Sequence, residues 1–177
     1  IVYENHTRNK ELLKYAQTDA LTGLYNKETT EQLTDELLSE DENKYHAFLI
    51  LDVDCFKQIN DIYGHAVGDI GLQKFGKLLK GTFREGDILG RIGGDEFGVI
   101  MKNIQTKDIA MKKAEELLAK TQAYKIDELK GNNISISIGI STAPQDGDCY
   151  MDLYKRADQA LYQAKRSGKA RVCNYFS

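Results

Sequence analysis

Residues 88–101, ILGRIGGDEFGVIM, place short apolar stretches on both sides of the glycine pair Gly93-Gly94. Such a pattern predicts a β-hairpin, because glycine adopts backbone conformations that tight turns require and other residues avoid. The glycine pair also lets the main chain approach a bulky ligand closely. Two acidic residues, Asp95 and Glu96, follow immediately, so the turn places both carboxylates at one end of a predicted sheet.

A second apolar run, at 46–53, is short enough for a buried strand and ends in Asp52-Val53-Asp54. If this strand neighbours the hairpin, the acidic residues of both converge at one sheet edge. Crowded carboxylates raise one another's pKa, and a hard divalent cation such as Mg²⁺ relieves that repulsion. A metal site that includes Asp52 and Asp95 is therefore the functional interpretation. Solvated turn acids are the alternative, and an Asp-x-Asp pair alone favours it.

The rest of the chain alternates helical and strand patterns. Helical spacing predicts helices at 27–39, 56–62, 66–83, 107–122 and 150–166, and strands are expected at 134–141, where Ile alternates with small polar residues, and at 171–176. Runs of antiparallel pairing make α+β the expected class.

Composition narrows the function classes. The chain has 177 residues, 41% hydrophobic and 29% charged, with a net charge of −3, so no global positive field attracts nucleic acid. Three cysteines without close spacing indicate neither a disulfide framework nor a zinc site and suit a reducing cytoplasm. No apolar run is long enough to span a membrane. Because the chain begins at Ile1, we expect an upstream part, which in the full-length protein is a candidate membrane anchor.

Polar residues after the 46–53 strand form candidate nucleotide-binding groups. Lys57 lies in the first turn of a short helix, whose free N–H groups form an anion site, although a surface lysine is the commoner case. Asn60 and Asp69 carry groups that read a base edge, and a carboxylate accepts well from the N1–H and N2–H₂ of guanine. Turn stabilisation is the alternative for that cluster. Lys165 and Lys169 either complement a helix dipole or reach a triphosphate.

Together and in this order, the motifs resemble those of the GGDEF family of diguanylate cyclases over about residues 18–177. The segments that carry the resemblance are DALTGLYN at 19–26, DVDCFKQIND at 52–61, GHAVGD at 64–69, RIGGDEF at 91–97, SISIGI at 135–140 and ALYQAK at 160–165. Two departures concern cations: Lys27 and Lys169-Ala170 stand where the family usually has Arg and Arg-Asn. Lysine keeps the charge and loses the bidentate fork.

The resemblance implies a palm-like fold of the ferredoxin-like, nucleotidyl cyclase type, with a central antiparallel sheet flanked by helices. It also implies the condensation of two GTP into cyclic di-GMP and two pyrophosphates, by Mg²⁺-dependent attack of a 3′-hydroxyl on an α-phosphate, with Mn²⁺ as the alternative ion. The roles that it implies are metal binding by Asp52, the Val53 carbonyl, Asp95 and Glu96, catalysis by Asp95, Glu96 and Lys57, and substrate binding by Phe56, Lys57, Asn60, Asp69, Gly93, Gly94, Lys165 and Lys169. Glu96 is either a metal ligand or the acceptor of the 3′-hydroxyl proton.

The implied domain layout is a linker helix at 1–18, entering from an upstream sensor region, and a cyclase domain at 19–177. One site holds one GTP, so catalysis is expected across a homodimer in the cytoplasm, with no nucleic acid as partner. The rival function is a catalytically weak module that senses GTP or cyclic di-GMP. A degenerate glycine-acid motif would favour the rival, and here the motif is intact.

Arg84 and Asp87 lie shortly before the hairpin, where family members with product inhibition carry an Arg-x-x-Asp motif. Arginine can donate to guanine O6 and N7 or pair with phosphate, and aspartate can accept from the guanine N–H edge. The resemblance therefore predicts an inhibitory cyclic di-GMP site at Arg84 and Asp87, completed by a second cationic surface. A charged surface turn is the alternative.

Overall fold

The computed structural model describes residues 16–40 and 44–175, so the predicted linker helix at 1–18 lies almost entirely outside it. Eleven elements follow one another along this part of the chain. In chain order they are α1 (Lys27–Glu40), β1 (His46–Val53), α2 (Phe56–Tyr63), α3 (His65–Thr82), β2 (Ile88–Arg91), β3 (Glu96–Met101), α4 (Lys107–Ala123), a 3₁₀ turn (Asp127–Leu129), β4 (Ile136–Ala143), α5 (Tyr150–Arg166) and β5 (Val172–Asn174).

The strands form one five-stranded sheet in the order β2-β3-β1-β4-β5. All neighbouring pairs are antiparallel except β4 and β5, which run parallel. The predicted hairpin is confirmed as β2 and β3, and the α+β palm-like class is confirmed with it. The strand expected at 171–176 is shorter, Val172–Asn174.

Helices cover both faces of the sheet, which explains why β1 reads as a continuous apolar run. Leu49 and Leu51 face a core built with α3 and α4. Phe48 and Ile50, which alternate with them, face a second core built with α1 and α5. The centre of β1 is therefore buried from two sides, and functional side chains can emerge only at its end. Within the described residues, every helix is too short or too polar to cross a membrane.

The alternation of isoleucine and small polar residues in β4 does not reflect one solvent-exposed face, because all eight residues of the strand are buried. The small residues of the alternation leave room for α5. A Cβ at Gly139 would collide with the backbone of α5, at the Ala157 carbonyl oxygen and the Leu161 amide nitrogen. The Ser141 hydroxyl donates to the Leu153 carbonyl oxygen at 2.8 Å. Helix α5 thus lies directly on the strand backbone.

We expect Gly139→Ala to lower the free energy of unfolding by about 3 kcal/mol, because the backbone of α5 cannot give way without lifting the helix. Chemical denaturation followed by circular dichroism measures this. Gly81→Ala is the matched control, since a Cβ at Gly81 meets nothing within 4 Å. It should raise stability by at most about 1 kcal/mol, as expected for removal of a helical glycine. Equal stabilities of the two variants would contradict the packing described here.

Candidate active site

The end of β1 and the start of β3 bring acidic residues together. Asp52 pairs directly across from Glu96 in the β1–β3 register. The Val53 N–H donates to the carbonyl oxygen of Asp95 at 3.1 Å, which fixes the turn against the strand end. The side chains of Asp52, Asp95 and Glu96 are all half-buried. The predicted meeting of the two acidic segments at one sheet edge is therefore present in the structure.

Helix α5 supplies one partner to each of the two paired acids. Lys165 Nζ lies 2.9 Å from Asp52 Oδ1. The Tyr154 hydroxyl donates to Glu96 Oε1 at 3.1 Å. Burial, reinforced by the negative charge of Glu96, raises the pKa of Tyr154 to about 12, so this hydroxyl stays a donor at neutral pH. A lysine and a tyrosine from one helix thus hold the acidic edge.

The acids remain electrostatically strained despite these partners. Burial is the main cause that raises the pKa of Asp52, with Asp95 and Asp54 adding repulsion against the opposing effect of Lys165. Burial also raises the pKa of Glu96, and the nearby Asp52 and Asp158 act in the same direction. Half-buried carboxylates with raised pKa values are a favourable environment for a cation, which would restore their charged form.

The donor set fits Mg²⁺, which binds hard oxygen ligands and commonly takes one or two carboxylates together with substrate phosphates. Among the described residues, only Asp148, Cys149 and Asp152 bring three histidine, thiol or carboxylate ligand atoms within 4.8 Å of one another, and this group is largely exposed. The acids of the β1–β3 edge are spaced more widely. That spacing suits an ion shared with phosphate oxygens better than an all-protein cage.

Asp54 differs from its neighbours, because its carboxylate is fully engaged within the protein. It accepts hydrogen bonds from the Ser135 hydroxyl at 2.6 Å, the Ser137 hydroxyl at 2.7 Å and the Ala170 N–H at 3.1 Å. The side chain is buried. Asp54 therefore fastens the chain after α5 to β4 and acts on the acidic edge only through its charge.

The chain after α5 follows an unusual path that determines where Lys169 lies. Gly168, Lys169 and Ala170 have φ values of 115°, 61° and 48°, so three consecutive residues have positive φ. Lys169 and Ala170 carry a Cβ, which makes this conformation costly. The path brings Lys169 Nζ to 3.0 Å from Cys55 Sγ, beside the N-terminus of α2. Lys169 therefore lies where the sequence placed a phosphate site.

The groups expected to bind the base lie on α2, which carries Asn60, and on α3, which carries Asp69. Asn60 Oδ1 is buried and accepts no hydrogen bond within the described part of the chain. A Cβ at Gly68 would overlap this oxygen, so the amide occupies space that only glycine leaves open. Asp69 follows directly and is exposed, and Lys57 is also exposed. A donor on a ligand would satisfy the orphaned oxygen of Asn60.

The contact that supports the glycine turn was not predicted from the sequence. The guanidinium of Arg91 donates to the Gly94 carbonyl oxygen, at 3.1 Å from Nε and 2.6 Å from the terminal nitrogen. It also pairs with Asp19 at 3.2 Å, and Asp19 in turn accepts from the Thr22 N–H and hydroxyl. The opening motif at 19–26 therefore braces the hairpin. The signal available in the sequence was Arg91 itself, which precedes Gly93-Gly94 inside the motif.

Arg84 and Asp87 contact each other at the end of α3. Asp87 is buried and accepts from Arg84 Nε at 3.1 Å, from the Arg84 N–H at 3.3 Å and from the Lys102 N–H at 3.1 Å. The guanidinium also donates to the Lys102 carbonyl oxygen, and the Arg84 side chain remains 60% exposed. Arg84 borders a groove of about 500 Å³ whose lining includes the charged Lys80 and Glu85 and the apolar Leu24, Tyr25, Phe83 and Leu89.

Comparisons with known proteins show which family and which fold the chain resembles. Residues 16–171 match the family described as "Diguanylate cyclase, GGDEF domain". The chain is 36% identical over 170 residues to Diguanylate cyclase A of Treponema denticola, an alignment that covers 93% of this chain and 46% of that protein. The chain therefore spans less than half the length of this curated relative.

Two solved structures have the same fold. The GGDEF domain of TpbB from Pseudomonas aeruginosa superposes with a TM-score of 0.84 at 32% identity, covering 90% of this chain and 94% of that one. The GGDEF domain of DgcB from Caulobacter crescentus, solved in complex with c-di-GMP, also gives a TM-score of 0.84, at 27% identity and covering 92% and 94%.

We expect Ala170→Gly to raise the free energy of unfolding by about 1 kcal/mol, because glycine adopts the left-handed conformation without the Cβ clash. The same substitution at exposed Ala119 in α4 should lower stability by up to about 1 kcal/mol, since glycine weakens a helix. Urea titration of both variants measures the two changes. Changes of the same sign would contradict the strained path of the chain at Ala170.

Proposed function

The chain belongs to the GGDEF family, and from that premise we propose that it is the catalytic domain of a diguanylate cyclase. The observation that carries the proposal is the pairing of Asp52 with Glu96 at the sheet edge, closed by the Val53–Asp95 backbone bond. This edge presents several hard oxygen donors, with Lys165 beside Asp52 and Lys169 beside the N-terminus of α2, and α2 carries the unsatisfied amide oxygen of Asn60. A nucleoside triphosphate with a divalent cation matches all three features.

In the proposed reaction the 3′-oxygen of one GTP attacks the α-phosphorus of another. The new P–O bond forms as the bond to the β-phosphate breaks and pyrophosphate leaves, and repetition in the opposite direction yields cyclic di-GMP. Mg²⁺ or Mn²⁺, when bound, lowers the pKa of the attacking hydroxyl and neutralises charge on the phosphates. Asp52, Asp95 and the Val53 carbonyl would hold the ion. Glu96 would contact the ion or accept the hydroxyl proton.

The remaining site residues would position the substrate, which is the main source of rate in phosphoryl transfer. Asn60 and Asp69 would bind guanine, and the orphaned buried oxygen of Asn60 supports this role. Lys57, the backbone at Phe56 and Lys169 would bind phosphates at the N-terminus of α2. Gly93 and Gly94 would let the backbone approach the triphosphate, and Lys165 would exchange Asp52 for a phosphate oxygen once an ion is present.

A homodimer follows from the chemistry proposed, because one half-site holds one GTP and the reaction needs two. We infer that residues 19–177 form the cyclase domain and that residues 1–18 connect it to an upstream sensor region that orients the two copies. The three cysteines are free thiols, which suits a cytoplasmic location.

The test is incubation with GTP and Mg²⁺ followed by chromatographic identification of the product, which we expect to be cyclic di-GMP. Asp95→Asn should lower turnover at least about 100-fold while the domain remains folded, because a metal ligand is lost. Asp148→Asn, which removes an exposed acid outside the site, should keep full activity.

The dependence of specific activity on protein concentration supplies the second readout. Activity per domain should rise with concentration, because mass action controls the productive dimer. A wild-type domain that binds GTP or cyclic di-GMP but forms no product would replace this proposal with the sensing function. Wild-type turnover by Asp95→Asn, with unchanged Mg²⁺ dependence, would remove the metal assignment.

We also propose that the product inhibits the enzyme at Arg84 and Asp87. The exposed guanidinium beside a groove with apolar walls and a second cation, Lys80, suits a guanine base joined to phosphate. Because Asp87 already accepts three hydrogen bonds, Arg84 would make the principal contact and Asp87 would hold it in place. The DgcB relative bound to c-di-GMP supports product binding by this domain type.

We expect Arg84→Ala to weaken binding of cyclic di-GMP at least about tenfold without lowering the initial rate, because a charge-assisted contact to the ligand is lost. Calorimetric titration and progress curves measure the two quantities. Asp87 keeps two backbone donors in this variant, so the turn should stay folded. Lys112→Ala, at an exposed position of α4, is the control for loss of a positive charge. Equal affinity in wild type and Arg84→Ala would rule out the inhibitory site, though not the cyclase.

A further inference from the structure

One stripe of helix α5 reaches both paired acids of the β1–β3 edge. Tyr154 and Lys165 are eleven residues apart in sequence, which is three turns of an α-helix, so both side chains leave the same face. Lys165 forms an ion pair with Asp52, and the Tyr154 hydroxyl donates a hydrogen bond to Glu96. The lysine belongs to the nucleotide site already described. The tyrosine has no role in the mechanism proposed above.

The ring of Tyr154 is held in place by its neighbours. It packs against the ring of Tyr150, with centroids 5.9 Å apart and planes inclined at 30°. Tyr150 is itself fully buried and meets the edge of Phe48 at 5.4 Å. The phenol is therefore anchored to the core beneath β1, and its hydroxyl has little freedom to leave Glu96.

The hydrogen bond distinguishes the two oxygens of the Glu96 carboxylate. Oε1 accepts from the tyrosine, whereas Oε2 accepts no hydrogen bond from the described residues. Glu96 is the first residue of β3, and its carbonyl oxygen accepts from the N–H groups of Ile92 and Gly93, which fix its backbone but not its carboxylate. A glutamate side chain has several rotamers, and fixing one costs conformational entropy unless a partner has already done so. Tyr154 is positioned to be that partner.

On this basis, and resting on the cyclase function proposed above, we propose that Tyr154 is a positioning residue. Its hydroxyl holds Glu96 Oε1 so that Oε2 is presented to the divalent cation shared with Asp52. The proposal assigns Glu96 to cation contact rather than to proton transfer. It also predicts that the benefit of Tyr154 passes entirely through Glu96.

The variant that tests this is Tyr154→Phe, which keeps the anchored ring and removes only the donor. We expect kcat to fall about tenfold and KM for the metal–GTP complex to rise only several-fold, because the rise in KM follows from weaker metal binding and the larger fall in kcat from lost alignment. We also expect Mn²⁺ to bind several-fold more weakly in the presence of a non-reactive GTP analogue, measured by electron paramagnetic resonance. Tyr162→Phe, two turns along on the exposed side of α5, is the matched control and should change neither quantity.

A double-mutant cycle with Glu96→Ala separates positioning from general damage, and it is measured on Mn²⁺ affinity so that it needs no turnover. Tyr154→Phe should weaken Mn²⁺ binding in the parent and have no further effect in Glu96→Ala, since that variant has no side-chain acceptor for the tyrosine. Additive losses, or unchanged Mn²⁺ binding in Tyr154→Phe, would overturn the inference. A wild type that makes no cyclic di-GMP would defeat the cyclase proposal instead, and the Mn²⁺ cycle would still decide the role of Tyr154.

Discussion

The close approach of α5 to β4 is the contact on which the rest of the site depends. Gly139 has no side chain, so the backbone of the helix lies directly on the strand. A helix held farther from the sheet would carry Tyr154 and Lys165 away from the acids at the edge of β1 and β3. The two sides of the site come from distant parts of the chain, and a backbone contact without side chains sets their separation. Stability and geometry of the site therefore have one common origin.

The carboxylates of the acidic edge repel one another and are partly desolvated in the folded protein before any ligand binds. Burial and mutual repulsion raise the pKa values of Asp52 and Glu96, and Lys165 and Tyr154 offset only part of that penalty. An incoming ion would relieve repulsion that already exists, so part of its binding energy is stored in the folded protein. In the function proposed above, the same ion would compete with Lys165 for Asp52. Occupation of the site and release of the lysine would then be linked.

The sequence predicted the elements well because their signals are local. The glycine pair in the hairpin, the apolar run of β1 and the helical spacing of α5 each depend on neighbouring residues, and the structure contains all three. The contacts that it did not predict join distant segments. Asp54 looked like a fourth acid of the cluster, yet serines more than eighty residues away engage it. The brace between Asp19 and Arg91 spans a separation of 72 residues and leaves no periodic trace in sequence.

The side-chain amide of Asn60 fills the space that a Cβ at position 68 would need, which links two positions that lie eight residues apart. The amide and a side chain at 68 would occupy the same volume, so a substitution at one position constrains the residue at the other. Any descendant of this sequence that acquires a larger residue at 68 must first move or lose the amide at 60. Loss of glycine there would therefore mark a changed placement of the Asn60 amide, visible in a sequence even where the acidic motif is intact.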